Sequence, residues 1–345
     1  MSEKKTFRIG ITPDFRTQVS GVLDPGIEEV LKPAPGIEWE YMPETAGVAA
    51  PEVLNRYDAA IVLDYRFPAE SFEGVERLAV IARWGVGFDR IDVPACTKAA
   101  VILAVTTDSV GRPVAEGALG LIFALAKNFR THDRNIRAGR WREQAPMGFN
   151  IAGKTLGTVG LGNIGRELFR LARGVGFRRL LAYEPIAPSA EEAAAGVEFT
   201  DLDTVMRESD FISIHCPLNG QTRGMVGARE LALMKTTAYV INTARGPIVD
   251  EAALIGALRE HKIAGAALDV YESEPVRAGH PLLELENTLL SPHVIARTHE
   301  CVRDTSLSAC RSVVAVSQGN APPYIVNRNV LDRPEMQKKL ARYRL

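Results

Sequence analysis

The chain carries two strings of short apolar runs, each run followed by a segment of helical periodicity. The first string holds "FRIGIT", "AAIVLD", "LAVIARWG" and "VILAVT" and ends near Thr107. A long apolar helix over residues 114–129 follows. The second string then holds "TLGTVGLG", "RRLLAYEP", "DFISIHCP", "AYVINTARG", "AGAALDVY" and "NTLLSPHV". Near-continuous apolar strands alternating with helices imply parallel sheets covered on both faces. The pattern therefore predicts an α/β chain with two parallel-sheet domains. The apolar run at residues 117–126 lies between Glu116 and Lys127. It is about half of the roughly 20 residues that span a bilayer, so it reads as a core helix. The tail after His299 is helical in pattern and ends in "QKKLARYRL", which reads as a solvated face. No Pro/Gly/Ser linker separates the strings, so the pattern alone does not locate the boundary.

Composition adds limits. With 345 residues, 46% apolar and 24% charged, and a formal net charge of -1, the chain has the make-up of a globular protein long enough for two domains. No basic surplus asks for nucleic acid, and no membrane partner is expected. The start "MSEKKTFRIGITPDF" lacks a signal peptide's unbroken apolar core, so a cytoplasmic protein is expected. Cys96, Cys216, Cys301 and Cys310 show neither a C-x-x-C pair nor zinc spacing, which predicts reduced thiols and no metal site. No short-period repeat stands out.

The first chemical motif is Gly160-Leu161-Gly162-Asn163-Ile164-Gly165. The spacing alone is weak, but it directly follows a strand-like run and opens the helix-like "NIGRELFRLARGVG". A second strand ends in Glu184, nineteen residues after Gly165. Such glycines let the backbone approach a pyrophosphate, the helix start offers free N–H groups, and the acid accepts ribose hydroxyls. A dinucleotide site is predicted. A carboxylate at Glu184 repels a 2′-phosphate, Pro185 and Ile186 supply no cation, and Arg178 and Arg179 lie at the wrong end of the strand, so NAD is preferred over NADP. The stretch "GVGFDR" at residues 85–90 lacks the third glycine and is no second copy.

Ligands of open parallel sheets bind outside the carboxyl ends of the strands. His215, Arg245, Asp269 and His293 each end a predicted strand of the second string. Hydride transfer to a carbonyl needs a proton donor, which a histidine supplies near neutrality, and a group to hold the substrate's other end. Arg245 has the planar fork that suits a carboxylate, and "DVYESEP" offers Glu272 and Glu274 as acids that could support a charged histidine. His293 is the acid/base candidate. His215, before Cys216 and Pro217, reads as a cofactor-pocket wall or a structural group, and His299, one or two turns into the next helix, as a surface or packing residue.

At these residues the sequence resembles the D-isomer-specific 2-hydroxyacid dehydrogenases. The match covers residues 78–293 through "GVGFDRID", "RPVAEGALGLIFALAKN", "GKTLGTVGLGNIGRELFRLARGVGF", "HCPLNGQTRGMVG", "MKTTAYVINTARGPIVDEAAL", "AGAALDVYESEP" and "LLSPHV", in family order. The resemblance implies NAD-dependent interconversion of a 2-oxo acid and a D-2-hydroxy acid. It implies that His293 is the general acid/base, that Glu274 pairs with it, and that Arg245 binds the substrate carboxylate. It also implies that Asn163, Ile164, Glu184, His215, Cys216, Pro217, Thr222, Thr243 and Asp269 belong to the cofactor site. Asp269 is expected near the nicotinamide amide. Trp84, Gly85, Val86 and Gly87 are expected to offer backbone N–H groups to the carboxylate. An NAD-binding Rossmann domain at residues 109–295 is expected to be inserted into a flavodoxin-like substrate domain formed by residues 1–108 and 296–345, in a homodimer. Rival readings are an NAD-responsive corepressor-like binding protein and a phosphite- or formate-type dehydrogenase, the formate option weakened by Glu274.

Several positions depart from the family pattern. Glu184 stands where Asp is usual, and Arg90 where Asn or His is frequent. Val294, Ile295, Ala296 and Arg297 replace small residues after His293, which is expected to change the floor of the site. Arg83 is a candidate for holding a second anionic group, as in relatives that use phosphorylated substrates.

Overall fold

A computed structural model describes residues 6–186 and 196–343 of the chain. The first five residues of the charged start and the final Arg-Leu of the tail lie outside the described residues. The chain forms two compact units, one of Met1–Val110 with Arg297–Leu345 and one of Gly111–Ala296.

The first unit is built on strands β1 (Phe7–Ile11), β2 (Ile37–Tyr41), β3 (Ala59–Val62), β4 (Val80–Arg83) and β5 (Ile102–Ala104). They form one sheet in the order β2-β1-β3-β4-β5, and every pairing is parallel. That is the flavodoxin-like order. The helix His299–Ser317 covers it, burying Ala309, Cys310, Val313 and Val316 in the same core as Ile9 and Ile11. The second unit holds β6 (Thr155–Val159), β7 (Arg179–Tyr183), β8 (Val197–Phe199), β9 (Phe211–Ile214), β10 (Tyr239–Asn242), β11 (Gly265–Leu268) and β12 (Thr288–Leu290). Their order is β12-β11-β10-β9-β6-β7-β8, again all parallel. The strand order reverses between β6 and β9, the switch point of a Rossmann fold. The fold is thus two parallel-sheet α/β domains, as the apolar runs predict.

Two strands escape the apolar-run criterion, β2 and β8. Both are sheet edges, and β2 buries none of its five residues, so a polar sequence suffices there. The helix Thr107–Ala126 is long and apolar enough by composition to cross a membrane, but Ala115, Ala118, Leu121, Ile122 and Ala126 are buried in the core of the second unit. The tail corrects its expectation. The helix Pro334–Ala341 buries Met336, Lys339 and Leu340 rather than presenting a wholly solvated face. The Lys339 Nζ donates to the carbonyls of Leu78, Ala99 and Ala100 at 2.7, 2.9 and 3.0 Å. Cys96, Cys301 and Cys310 are buried and Cys216 half-buried, all four as free thiols.

Candidate active site

The glycine motif makes the turn from β6 into the helix Asn163–Gly174. Gly160 has φ +94°, and a Cβ there would fall 2.6 Å from the Cys216 amide nitrogen, so only glycine fits. A Cβ on Gly165 would come within 2.9 Å of the Gly160 carbonyl oxygen, which is what lets the helix pack against the turn. Gly162, the residue before the helix, has open space where its Cβ would be and provides no side-chain cap. The amides of Asn163, Ile164 and Gly165 therefore open the helix beside an open backbone surface, the arrangement that holds a pyrophosphate.

Glu184 follows β7, and its Oε2 accepts from the Leu161 amide at 2.8 Å. The acid thus sits on the glycine turn, where ribose hydroxyls are read. At the ends of β9 and β10, two buried polar atoms have no protein partner, His215 Nδ1 and Thr243 Oγ1. His215 Nε2 is 2.8 Å from Ser213 Oγ, and burial pushes the ring's pKa down to about 4. A ring held neutral is suited to a wall, not to proton transfer. Burial, less an opposing backbone hydrogen bond, pushes the Cys216 thiol up to about 11, so it is no nucleophile. The Thr222 hydroxyl donates to the Pro217 carbonyl at 2.6 Å and accepts from the Asn219 amide at 2.8 Å. Thr222 is thereby committed to shaping the loop that starts at Pro217.

Arg245, Glu274 and His293 come together on the same sheet edge. His293 Nδ1 lies 2.8 Å from Glu274 Oε2. Glu274 Oε1 also accepts from the Tyr271 amide at 3.0 Å. Partial burial pushes the Glu274 carboxyl up, but the hydrogen bonds from His293 and Tyr271 and the charges of His293 and Arg245 outweigh it and hold it below the usual carboxylate range. With Nδ1 facing a carboxylate, the Nδ1 proton is held there and Nε2 is not used by the pair.

The supporting residues were not all legible. Asn242 Nδ2 donates to the Arg245 carbonyl at 2.9 Å and its Oδ1 accepts from Ala244, fixing the turn that presents Arg245. Tyr271 Oη donates to the Ser291 carbonyl at 2.9 Å, joining the Glu274 segment to the end of β12. No spacing signal marks either residue. Asp269 also has a part within the protein. Its two carboxylate oxygens accept from the Val294 and Ile295 amides at 3.0 and 3.1 Å, so it clamps the turn that carries His293.

Other positions correct the reading of the sequence. Ile295, half-buried, is packed on the long helix, where a Cβ on Gly117 would come within 2.3 Å of it. His299 is the first residue of its helix, and exposed. In the first unit, the Trp84 amide donates to the Val62 carbonyl and the Gly85 amide to Thr106 Oγ1, at 2.8 and 2.9 Å. Neither is available to a substrate; Val86 and Gly87 have no such bond among the described residues. The Arg83 guanidinium folds onto the Trp84 carbonyl, and Arg90 pairs with Asp64 at 3.0 Å. Among the described residues no group of three or more His, Cys, Asp or Glu could hold a metal.

A Rossmann sheet carrying a glycine turn, an acid at the second strand and an acid–histidine pair defines an NAD-dependent oxidoreductase. The comparisons make this specific. Residues 119–294 match the model of the D-isomer specific 2-hydroxyacid dehydrogenase NAD binding domain, and the chain belongs to that family. It is 39% identical over 267 residues to a glyoxylate reductase of Korarchaeum cryptofilum, covering 76% of this chain and 80% of the relative. To a glyoxylate reductase of Thermococcus litoralis it is 37% identical over 288 residues, covering 81% and 86%. The crystal structure of a glyoxylate reductase from Paecilomyes thermophila superposes with a TM-score of 0.81 at 27% identity, covering 94% of this chain and 99% of that one.

Proposed function

We propose that this enzyme interconverts a small 2-oxo acid, glyoxylate first among them, and its D-2-hydroxy acid, with His293 as general acid/base. The 2.8 Å contact between His293 Nδ1 and Glu274 Oε2 carries the reading, because it orients Nε2 and favours the charged ring. When bound, NADH supplies the hydride that goes to the carbonyl carbon. His293 donates its Nε2 proton to the carbonyl oxygen, and in the reverse direction the neutral ring takes that proton back. Arg245 holds the substrate carboxylate through its planar fork. Similarity to two glyoxylate reductases supports the choice of glyoxylate.

The first unit serves as the substrate domain, with the Val86 and Gly87 amides as the groups it offers to a carboxylate. The helix start at Asn163, the glycine turn, Glu184, His215 and Thr243 hold the cofactor, and the charge on Glu184 favours NAD over NADP. Free thiols fit a cytoplasmic enzyme. A homodimer is proposed, supported by Phe129, Ile136, Trp141 and Met147, which expose 57, 52, 62 and 94% of their surface.

The test is NADH oxidation against glyoxylate, hydroxypyruvate, pyruvate, oxaloacetate, phenylpyruvate and phosphohydroxypyruvate, repeated with NADPH. Turnover of one of these with NADH, lost in His293→Ala while NADH still binds, is the expected result. Turnover retained in His293→Ala refutes the role given to that residue.

A further inference from the structure

A second acid–histidine pair stands behind the first. Glu251 is the first residue of the helix Glu251–Arg259, and its two carboxylate oxygens serve different segments. Oε1 accepts from His280 Nε2 at 3.0 Å, and Oε2 accepts from the Glu272 amide at 3.2 Å. The pair is well shielded, with 24% of the His280 and 15% of the Glu251 side chain exposed. The Leu282 amide donates to His280 Nδ1 at 3.3 Å, so the proton of the neutral ring sits on Nε2 and points at Glu251. Both ring nitrogens and both carboxylate oxygens are thereby engaged.

Each segment that Glu251 holds leads to one partner of the Glu274–His293 pair. Glu272 lies two residues before Glu274. Beside it, Tyr271 sends its amide to Glu274 and its hydroxyl to Ser291. The turn after Arg245 also rests on this segment, since a Cβ on Gly246 would fall 1.9 Å from the Tyr271 carbonyl carbon. On the other side, His280 caps the short helix Pro281–Glu284. The Thr288 hydroxyl bonds to the carbonyls of Leu282 and Leu285 at 3.3 and 2.8 Å, seating the start of β12, the strand that leads to His293.

We propose that Glu251 and His280 are positioning residues for the reaction: by tying residues 271–274 and the approach to β12 to one helix start, they keep the Glu274 carboxylate on His293 Nδ1. The inference rests on the reading of Glu274 and His293 as the acid/base pair. Neither Glu251 nor His280 touches substrate.

Glu251→Gln leaves one acceptor oxygen for two donors, and His280→Ala removes one of the donors. Each is expected to lower kcat for 2-oxo acid reduction about tenfold with KM for NADH within about twofold, since small misplacements of catalytic groups act on the chemical step. The alkaline limb of the pH–rate profile of reduction moves towards acid, and hydrogen exchange at the Tyr271 amide quickens. His280→Gln, whose amide group can both donate to Glu251 and accept from Leu282, restores kcat and the profile. Folded Glu251→Gln and His280→Ala proteins with wild-type Tyr271 exchange, kcat and pH profile overturn the proposal, and His280→Ala decides alone if Glu251→Gln does not fold. Exchange at Tyr271 is read without turnover, so loss of the positioning is distinguishable from failure of the acid/base reading, which His293→Ala tests separately.

Discussion

Replacing Glu274 with Gln keeps an oxygen for the Tyr271 amide but removes the charge opposite His293. The contact is 2.8 Å long, with 47% of the His293 and 29% of the Glu274 side chain exposed. Unit charges about 4 Å apart interact by roughly 1 kcal/mol in water and roughly 4 kcal/mol at an effective dielectric constant of 20. Exposure of the ring argues for the lower part of that range. In the proposed mechanism reduction uses the protonated ring, so its rate falls on the alkaline side, and that limb moves towards acid in Glu274→Gln. Oxidation requires the neutral ring, so its rising limb moves the same way and activity extends to lower pH. The assay is initial velocity of NADH consumption and NADH production from about pH 5.5 to 9.5 at saturating substrate. Reduction should therefore lose more rate at the alkaline end of this range than at the acid end. Limbs that do not move, or that move in opposite directions, refute the electrostatic pairing of Glu274 with His293.

Other substitutions test separate parts of the site. His293→Ala should lower kcat by on the order of 10² or more with NADH affinity retained, measured by steady-state rates and fluorescence titration. Arg245→Lys should raise KM for the 2-oxo acid more than it lowers kcat, because a point charge replaces a two-pronged donor. Gly160→Ala forces a Cβ to within 2.6 Å of the Cys216 amide at φ +94°, so NADH binding, followed by calorimetry, should be lost or the second unit destabilised. In the first unit, burial and the neighbouring Arg342 charge push the Lys339 pKa down to about 8. Its unfolded-state value is higher, so the unfolded chain holds more protons between the two values and this group's contribution to stability grows as pH rises through that window. The stability of wild type relative to Lys339→Met, from urea unfolding, should therefore increase from pH 7.5 to 10, and a constant difference refutes the assignment.

What the sequence makes legible is local and repeated. Buried strands β1, β3, β4 and β5 and strands β6, β9, β10 and β11 announce themselves because both faces are covered, which demands unbroken apolar runs. The glycine turn is legible because a positive φ at Gly160 and a close approach at Gly165 restrict residue type at fixed spacing. Edge strands β2 and β8 have no such demand. Contacts between distant residues leave no periodic trace: Lys339 reaches a carbonyl 261 residues away, and Glu251 reaches His280 across 29. The packing of Ile295 against Gly117 is unmarked for the same reason, since Gly117 lies far earlier in the chain.

Asp269 illustrates how such unmarked contacts set the chemistry. His293 has φ +56°, a left-handed conformation that a non-glycine residue adopts at an energetic penalty of about 1 kcal/mol or more. The next two amides would be left facing the sheet edge without the carboxylate of Asp269, which is 1% exposed and takes one on each oxygen. Two charge-assisted hydrogen bonds, each contributing roughly 1.5–3 kcal/mol, offset the strain of the turn. The ring itself is held by Glu274, while the backbone that carries it is held by Asp269 after β11 and, through the Ser291 carbonyl at the end of β12, by Tyr271. A half-exposed imidazole would otherwise sample several rotamers, and an acid/base group must already lie where the reacting oxygen will be. Asp269→Asn offers one amide acceptor where the carboxylate has two, so it should relax the turn, lowering kcat about tenfold or more while the Glu274→Gln signature, a displaced pH profile, appears in milder form. An Asp269→Asn enzyme that loses NADH affinity with kcat and pH profile intact would instead give the residue the cofactor role that the family resemblance implies.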